Sequence, residues 1–217
     1  LIIGGTTPSV NLARLIKEHS DIKINVLIRP RFGDFLYTEE EIEIMCRDIL
    51  MFKEAGVNGI VIGALTAEGR LNMPVMKRLM EVGSGLEVTL HRAFDMTEDP
   101  YQALEDAIAL GVNTILTSGQ QQSAEKGKAL LKELREKAGD RIEIMAGAGV
   151  KKENIKIIHE YTGITTFHGT GRKDSVDSGM IYRKSEVSMG LPSLSEYEIW
   201  QTDPEEIREF AKIVHSL

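Results

Sequence analysis

The chain has 217 residues, of which 42% are hydrophobic and 27% are charged, a composition typical of a globular domain with a large core. Its 33 acidic and 26 basic side chains give a net charge of −7, which argues against a nucleic-acid or anionic-membrane partner. The single cysteine, Cys46, cannot form an internal disulfide and fits a reducing compartment. No apolar run approaches the ~18 residues that a membrane span needs.

Short apolar runs alternate with amphipathic stretches, and the runs predict six strands. They cover residues 24–28, 59–62, 87–91, 114–117, 142–146 and 165–168. Glycines recur about every 27 residues where helix C-caps belong, at Gly56, Gly83, Gly111, Gly139 and Gly163. Strands that alternate with helices predict a parallel sheet covered by helices. We therefore predict α/β architecture in a single domain, a TIM-type (β/α)8 barrel of which this chain holds six βα units.

Local signals mark where several helices begin. Thr38 followed by Glu41 predicts a capping box before an apolar-periodic stretch. Asp99 and Asp203 each precede a proline, which predicts a capping carboxylate before a first-turn proline. Residues 172–201 lack clear periodicity, so we predict a long irregular segment of the kind that forms lids or binding loops.

Alternation along the strands puts polar side chains on the face that should line the barrel. These side chains are Asn25, Arg29, Thr89, His91 and Glu143. One interpretation is an internal ion-pair network that holds the barrel in register, because a buried charge requires partners. The other is a ligand site at the carboxyl ends of the strands, where barrel enzymes bind substrates and where Arg29 and His91 fall.

The loops that follow the strands carry further polar residues and glycines. We predict that an anionic ligand binds to Arg29, Arg31, Asp34, Thr117, Ser118, Gly147, Gly149 and Gly169. Arginines bind anions through paired hydrogen bonds, and glycine-rich strand ends offer backbone N–H groups to a phosphate, although simple tight turns explain such glycines equally well. For catalysis we predict His91 as the group that transfers a proton, with Asp95 or Glu143 beside it.

Several segments together resemble the CutC family of copper homeostasis proteins. They read GGTTPS at 4–9, IRPRFGDFLY at 28–37, GALT at 63–66, TLHRAFD at 89–95, LTSG at 116–119 and DSG at 177–179. Their order and spacing extend over nearly the whole chain, and the stretch 187–190 is closest to animal members. The resemblance implies a (β/α)8 barrel, a homo-oligomer, a cytoplasmic protein that in animals is also nuclear, and a role in handling copper.

The chain departs from the family pattern in three places. Members carry a strand, a helix and a second strand before the GGTTPS loop, so we expect the first two barrel strands to be absent, either because upstream residues were lost or because a partner covers the gap. The family cysteine that ends that second strand is absent with it. The family's glycine triplet reads AGAG at 146–149, and Gly169 stands where animal members have a cysteine.

Copper is the ion that the resemblance implies, and Cu(I) prefers thiolate, thioether or imidazole donors. His91 and His168 reach the predicted pocket mouth, so we predict them as metal ligands, although two imidazoles make an incomplete site. Cys46 lies on the apolar face of a predicted helix, where packing explains it better than copper binding. The methionines at helical spacing between residues 73 and 80 are also explained by core packing.

Three functions are compatible with these features. The first follows the family: a cytosolic copper homeostasis protein that binds or handles copper ions. The second is a barrel enzyme that binds a small anionic metabolite, such as a phosphorylated one, and uses His and carboxylate acid–base chemistry. The third is a scaffold or partner-binding protein, which predicts an apolar patch around Ile199 and Trp200. The resemblance favours the first, and the sequence leaves open whether the protein is an enzyme.

Overall fold

The computed structural model describes residues 4–172, 175–184, 186–187, 189 and 194–217, so residues 188 and 190 of the stretch 187–190 lie outside the described set. The strands are β1 (Asn25–Leu27), β2 (Gly59–Ile62), β3 (Glu87–Leu90), β4 (Thr114–Thr117), β5 (Glu143–Ala146), β6 (Thr166–Phe167), β7 (Val176–Asp177) and β8 (Glu198–Ile199). The helices are α1 (Val10–His19), α2 (Glu39–Glu54), α3 (Met73–Val82), α4 (Pro100–Leu110), α5 (Lys128–Ala138), α6 (Ile155–Thr162) and α7 (Pro204–Val214), with a 3₁₀ helix at Arg92–Met96.

The six predicted strands form one parallel sheet, and the predicted TIM-type architecture is confirmed. The strands stand in chain order from β1 to β6, each paired with the next. Helices lie between successive strands, and the sheet curls into part of a barrel. Within the described residues β1 and β6 do not pair with each other, so the barrel is open along that side. Because all six strands run in one direction, their carboxyl ends meet along one rim.

The segment 172–201 is not wholly irregular. Its two short strands, β7 and β8, pair antiparallel, with Val176 opposite Ile199. An isolated bridge joins Arg172 to Thr202, and the N–H of Asp203 donates to the carbonyl of Gly171 at 2.8 Å. The segment therefore leaves the rim after β6 and returns to it, which places Arg172 beside the beginning of α7.

The predicted helix caps are confirmed. The Thr38 hydroxyl accepts from the N–H of Glu41, and the Glu41 carboxylate accepts from the N–H of Thr38, which completes the capping box of α2. Asp99 and Asp203 each accept from two backbone N–H groups at the beginning of α4 and α7. Gly111 follows α4 with a φ of 79°, a left-handed conformation that glycine adopts without strain.

The apolar core lies between the sheet and the helices. The outward face of the strands contributes Val26, Ile28, Ile60, Ile62, Val88, Leu90, Ile115 and Ile144, all of them buried. Each such side chain stabilises the fold by about 2 kcal/mol relative to an exposed position. Cys46 and Met76 lie in this core, as predicted for packing residues. Among the described residues, no helix combines the length and the apolar character that crossing a bilayer requires.

The polar inner face of the sheet is buried only near the carboxyl ends of its strands. Arg29, Thr89 and His91 are buried, with 9%, 6% and 5% of their surfaces exposed. Asn25 and Glu143, which we expected inside the barrel, are exposed at the amino ends of β1 and β5. The expectation that these two side chains are buried was wrong, because the open sheet leaves this end of its concave face accessible to solvent.

Candidate functional site

Arg29 lies just beyond β1 and is held by the loop at residues 4–9. Its backbone N–H donates to the Thr7 hydroxyl, and its carbonyl accepts from the N–H of Thr7, both at 2.9 Å. The guanidinium donates from Nη1 to the Gly5 carbonyl at 3.1 Å and from Nη2 to the Gly33 carbonyl at 2.6 Å. Its Nε is buried without a hydrogen-bond partner, and no described carboxylate forms an ion pair with it. The guanidinium is therefore bound by neutral carbonyls, which leaves its charge uncompensated.

His91 lies just beyond β3 and is a neutral hydrogen-bond donor. Its Nδ1 accepts from the backbone N–H of Ala93 at 3.1 Å, so the proton of the neutral ring lies on Nε2. That Nε2 is buried without a partner. Burial, reinforced by the positive charge of Arg29, lowers the pKa of His91 to about 3. The ring packs against Gly63, where a Cβ atom would lie 2.6 Å from Cε1 of His91.

Phe35 brings Arg29 and His91 together. The ring centroids of Phe35 and His91 are 4.8 Å apart, and Cζ of Arg29 lies 4.9 Å from the Phe35 centroid. Tyr37, on the same loop, has a buried hydroxyl without a hydrogen-bond partner. Burial raises the pKa of Tyr37, against the opposing effect of the nearby Arg29 charge. We call Arg29, Phe35, Tyr37 and His91 the Arg29 cluster.

Arg31 and Asp34, predicted to bind a ligand, bind each other and α2. Arg31 donates from Nε to the carboxylate of Glu41 at 2.5 Å and from Nη2 to Asp34 at 3.0 Å. Its Nη2 also donates to the carbonyl of Leu36 at 2.8 Å. The N–H of Thr38, followed by the Arg31 side chain, lowers the pKa of Glu41. These contacts fix the loop that carries Phe35 and Tyr37.

Asp95, Thr117 and Ser118 come together, but their polar atoms bind one another. One carboxylate oxygen of Asp95 accepts from the Thr117 hydroxyl at 2.5 Å, and the other accepts from the Ser118 hydroxyl at 2.9 Å. Arg92 forms an ion pair with Asp95 at 2.7 Å and donates to the Ser118 hydroxyl at 3.0 Å. The three predicted residues thus connect the 3₁₀ helix to the end of β4 and orient Arg92.

Glu143 is separated from the other predicted catalytic residues. It begins β5 at the amino end of the sheet, and its carboxylate accepts from the Thr166 hydroxyl at 2.8 Å. His91 and Asp95 follow β3 at the opposite end. The expectation that Glu143 lies beside His91 was wrong, because strand alternation reports the face of a residue and not its height along the barrel.

A cavity of about 630 Å³ opens at the carboxyl ends of β5 and β6. We call it the basic cavity, because its lining includes Arg92, Lys151, Lys152 and Arg172 together with Gly149, Gly169 and His168. Lys152 forms ion pairs with Glu209 and Glu206, and these two carboxylates raise its pKa, Glu209 the more strongly. Arg172 stacks on Trp200, with Cζ 4.1 Å from the ring centroid, so this indole supports a cavity residue.

The predicted glycines of this region pack closely against their neighbours. A Cβ on Gly147 would lie 2.4 Å from the Leu116 side chain, and one on Gly169 would lie 2.6 Å from the ring of Phe210. Gly149 has a φ of 67° and lines the basic cavity. Only small residues fit here, whether or not a ligand binds.

Copper donors are few in the part of the chain that the structure describes. No group of three or more His, Cys, Asp or Glu side chains lies within reach of one ion there. A metal on Nε2 of His91 would require the ring proton to lie on Nδ1. Nδ1 instead accepts a hydrogen bond from the N–H of Ala93, so it does not carry the proton. His168 faces the basic cavity, and burial, followed by Arg92, lowers its pKa. His168 therefore fits an imidazole ligand better than His91 does.

Sequence patterns did not single out Phe35, Tyr37, Gly63, Arg92 or Arg172. All except Arg172 lie in segments that carry the family resemblance, in the loops or the 3₁₀ helix that follow β1, β2 and β3. Aromatic residues in a loop that follows a strand were the signal available for Phe35 and Tyr37. The position of Arg172 at the basic cavity depends on the β7–β8 pair, which the sequence did not predict.

Known proteins are similar to this chain in sequence and in fold. A model of the CutC family matches residues 1–173. A CutC family protein of Bacteroides fragilis (strain YCH46) is 50% identical over 197 residues, covering 90% of this chain and 78% of that protein. A human protein named copper homeostasis protein cutC homolog is 43% identical over 215 residues, covering 99% of this chain and 78% of its own length. The crystal structure of a CutC protein from Streptococcus agalactiae has a TM-score of 0.75 at 34% identity, covering 78% of this chain and 84% of that one.

Proposed function

This chain belongs to the CutC family, and from that premise we propose that it takes part in copper homeostasis. The proposal is carried by the 43% identity with the human protein of that name, which extends over 99% of this chain. A match of that length includes all six strands of the parallel sheet and the loops at their carboxyl ends, where barrel proteins bind their ligands.

Deletion of the gene in its own cell tests the role. We expect the deletion to change the cell's copper content or its tolerance of added copper, and re-expression to restore both. Zinc content serves as the control, because a general defect in metal uptake would change it as well. If copper content and tolerance stay unchanged, the proposal is wrong.

We propose that direct copper binding, if it is the basis of this role, uses His168 as one ligand. The lowered pKa keeps its imidazole neutral at pH 7, and the neutral ring is the form that coordinates a metal. The surrounding basic side chains repel a bare cation. We therefore expect weak, exchangeable binding of Cu(I), in contrast to a closed structural site.

Competition with a coloured Cu(I) chelator under anaerobic conditions tests this ligand. The variant His168→Gln is expected to lower the apparent Cu(I) affinity at least tenfold. The matched control is His159→Gln on α6, because the His159 ring bonds the carbonyl of Ile164 away from the cavity. Equal affinities of the His168 variant and the unaltered chain would exclude His168 as a copper ligand.

The basic cavity favours a second candidate function, the binding of a small phosphorylated metabolite. The positive charge of Lys152 is compensated by Glu206 and Glu209. No described carboxylate forms an ion pair with Lys151 or Arg172. Uncompensated cations beside glycine-rich strand ends attract a phosphate, and barrels commonly bind phosphate at the loops after their last two strands. This interpretation assigns the cavity to a small anion.

Calorimetric titration with inorganic phosphate and with ribose 5-phosphate tests the second candidate. Saturable binding is expected, with an affinity that falls as salt is added. Arg172→Gln should weaken it at least fivefold, whereas Lys77→Gln, an exposed change on α3, should not. If neither probe gives saturable heat, the cavity does not bind phosphate.

We also propose that the protein is a homo-oligomer of the cytoplasm, with a nuclear fraction in animal cells. Both proposals rest on the family resemblance. Light scattering coupled to size-exclusion chromatography measures the mass of the assembly, and a monomer would contradict the first. Microscopy of the tagged protein tests the second.

A further inference from the structure

The Arg29 cluster contains three buried hydrogen-bonding groups that have no partner. They are Nε of Arg29, the hydroxyl of Tyr37 and Nε2 of His91, each shielded from solvent. Buried polar groups in native proteins are almost always hydrogen-bonded, so such a group indicates a missing partner. The three side chains are linked through Arg29 and Phe35. Phe35 contacts both Arg29 and His91, and Arg29 acts on Tyr37 through its charge and as a hydrogen-bonding side chain, and on His91 through its charge.

All three groups can donate a hydrogen bond. Nε of a guanidinium only donates, and Nε2 of His91 donates because Nδ1 already accepts from the N–H of Ala93. The Tyr37 hydroxyl keeps its proton at neutral pH, since burial raises its pKa. The Tyr37 oxygen can accept from Arg29, which acts on it as a hydrogen-bonding side chain. Among the described residues, however, nothing accepts from the Tyr37 O–H or from Nε2 of His91, so an acceptor is missing.

The charge of the cluster narrows the chemistry of that acceptor. Arg29 contributes one positive charge, and no carboxylate among the described residues pairs with it. His91 is neutral, because its pKa lies far below physiological values. The cluster thus offers three donors and one positive charge, which match a monoanion, whereas a dianion would remain partly unpaired and a metal cation would be repelled.

We propose that Arg29, Tyr37 and His91 bind the carboxylate of a small metabolite. The carboxylate accepts from Nε of Arg29, from Nε2 of His91 and from the Tyr37 hydroxyl, and so satisfies all three groups together. Arg29 and His91 are buried, whereas Phe35 and Tyr37 are partly exposed, so we expect the ligand to enter from the side of these two aromatic residues. This site is independent of the proposed copper role, since it uses neither His168 nor the basic cavity.

Nitrogen-detected NMR of the ¹⁵N-labelled protein tests the proposal with acetate and formate as probes. Each probe should shift the Arg29 Nε–H and His91 Nε2–H resonances in a saturable manner, with a dissociation constant on the order of 1 mM. Inorganic phosphate at pH 8, where it is chiefly a dianion, should leave these two resonances unchanged at the same ionic strength. A shift of them by phosphate alone would overturn the assignment to a carboxylate.

Two conservative variants separate binding from folding. Tyr37→Phe removes only the hydroxyl and keeps the ring against which Arg31 packs. His91→Asn keeps an acceptor for the N–H of Ala93 and removes the Nε2 donor. Each should weaken acetate binding five- to tenfold, whereas Tyr161→Phe, an exposed ring on α6, should have no effect.

Three outcomes contradict the site. In the first, neither acetate nor formate shifts the resonances, which is the result expected if a single buried water already accepts from the three donors. The folded variants bind acetate as tightly as the unaltered chain. The Tyr161→Phe control weakens binding to the same extent as Tyr37→Phe.

Discussion

Asp95 and Ser118 are joined by three close contacts: both carboxylate oxygens accept from the Ser118 N–H, at 3.0 and 3.1 Å, and one also accepts from its hydroxyl at 2.9 Å. This pair couples the 3₁₀ helix after β3 to the loop after β4. A carboxylate with this many donors is a structural clamp for the rim of the barrel.

Removal of the Asp95 charge should destabilise the protein. In Asp95→Asn the amide cannot accept from all the donors that face the carboxylate, and the ion pair with Arg92 is lost. We expect the free energy of unfolding to fall by about 3 kcal/mol. Urea denaturation measures it, with Asp140→Asn in the exposed turn after α5 as the control, expected within about 0.5 kcal/mol of the unaltered chain. A loss below about 1 kcal/mol would show that the clamp contributes little.

Burial of neutral His91 predicts a loss of stability in mild acid. The pKa of His91 is about 3 in the folded protein and near its usual 6.5 in the unfolded chain, so below pH 6.5 only the unfolded chain binds the proton. Its contribution is fully present above pH 6.5 and declines as the pH falls toward 3. We expect the contribution of His91 to the free energy of unfolding to decrease by about 2 kcal/mol between pH 7 and pH 5.

Comparison of two pH profiles isolates this effect. The unfolding free energy of His91→Asn should fall by about 2 kcal/mol less over the same pH interval. If the two pH profiles are parallel, the folded protein protonates His91 as readily as the unfolded chain does, and the lowered pKa is wrong. His168, whose pKa is also lowered, contributes equally to both profiles and cancels in the difference.

A side chain at Gly63 should displace the His91 ring. The Cβ of Gly63→Ala would lie 2.6 Å from Cε1 of His91 and 2.9 Å from Cβ of Ala93. We expect a loss of about 2 kcal/mol of stability. In the His91→Ala background, Gly63→Ala should cost much less stability than it does in the unaltered chain. The reason is that the truncated side chain at position 91 leaves room for the new methyl group. Strict additivity in this double-mutant cycle would contradict a direct clash.

Cys46 should be inert toward both thiol reagents and copper. It is 6% exposed within the core, and burial raises the pKa of its thiol. The native protein should react with a thiol reagent only after urea is added. The variant Cys46→Ala should bind Cu(I) within twofold of the unaltered chain, as measured by chelator competition. A larger loss of copper affinity in a folded variant would identify Cys46 as a ligand.

The architecture was predictable because its signals are local. The alternation of apolar runs with amphipathic stretches reflects the spacing of apolar residues along a strand or helix. The Thr38–Glu41 box and the glycines after the helices depend on hydrogen bonds and backbone conformation within a few residues. The sequence also predicted that Arg29 and His91 lie on the inner face at the carboxyl ends of their strands, which the structure identifies as β1 and β3 with β2 between them. Their burial and proximity agree with that prediction.

Tertiary structure alone decided which polar side chains have free hydrogen-bonding groups. Asp95, Thr117 and Arg31 carried the same sequence signals as Arg29 and His91, yet their polar atoms bind one another or α2. The physical reason is that a partner is chosen by strand register and by the fit of loops distant in sequence. Residue type and spacing determine that a polar group needs a partner, and only the folded chain determines whether another residue already supplies it.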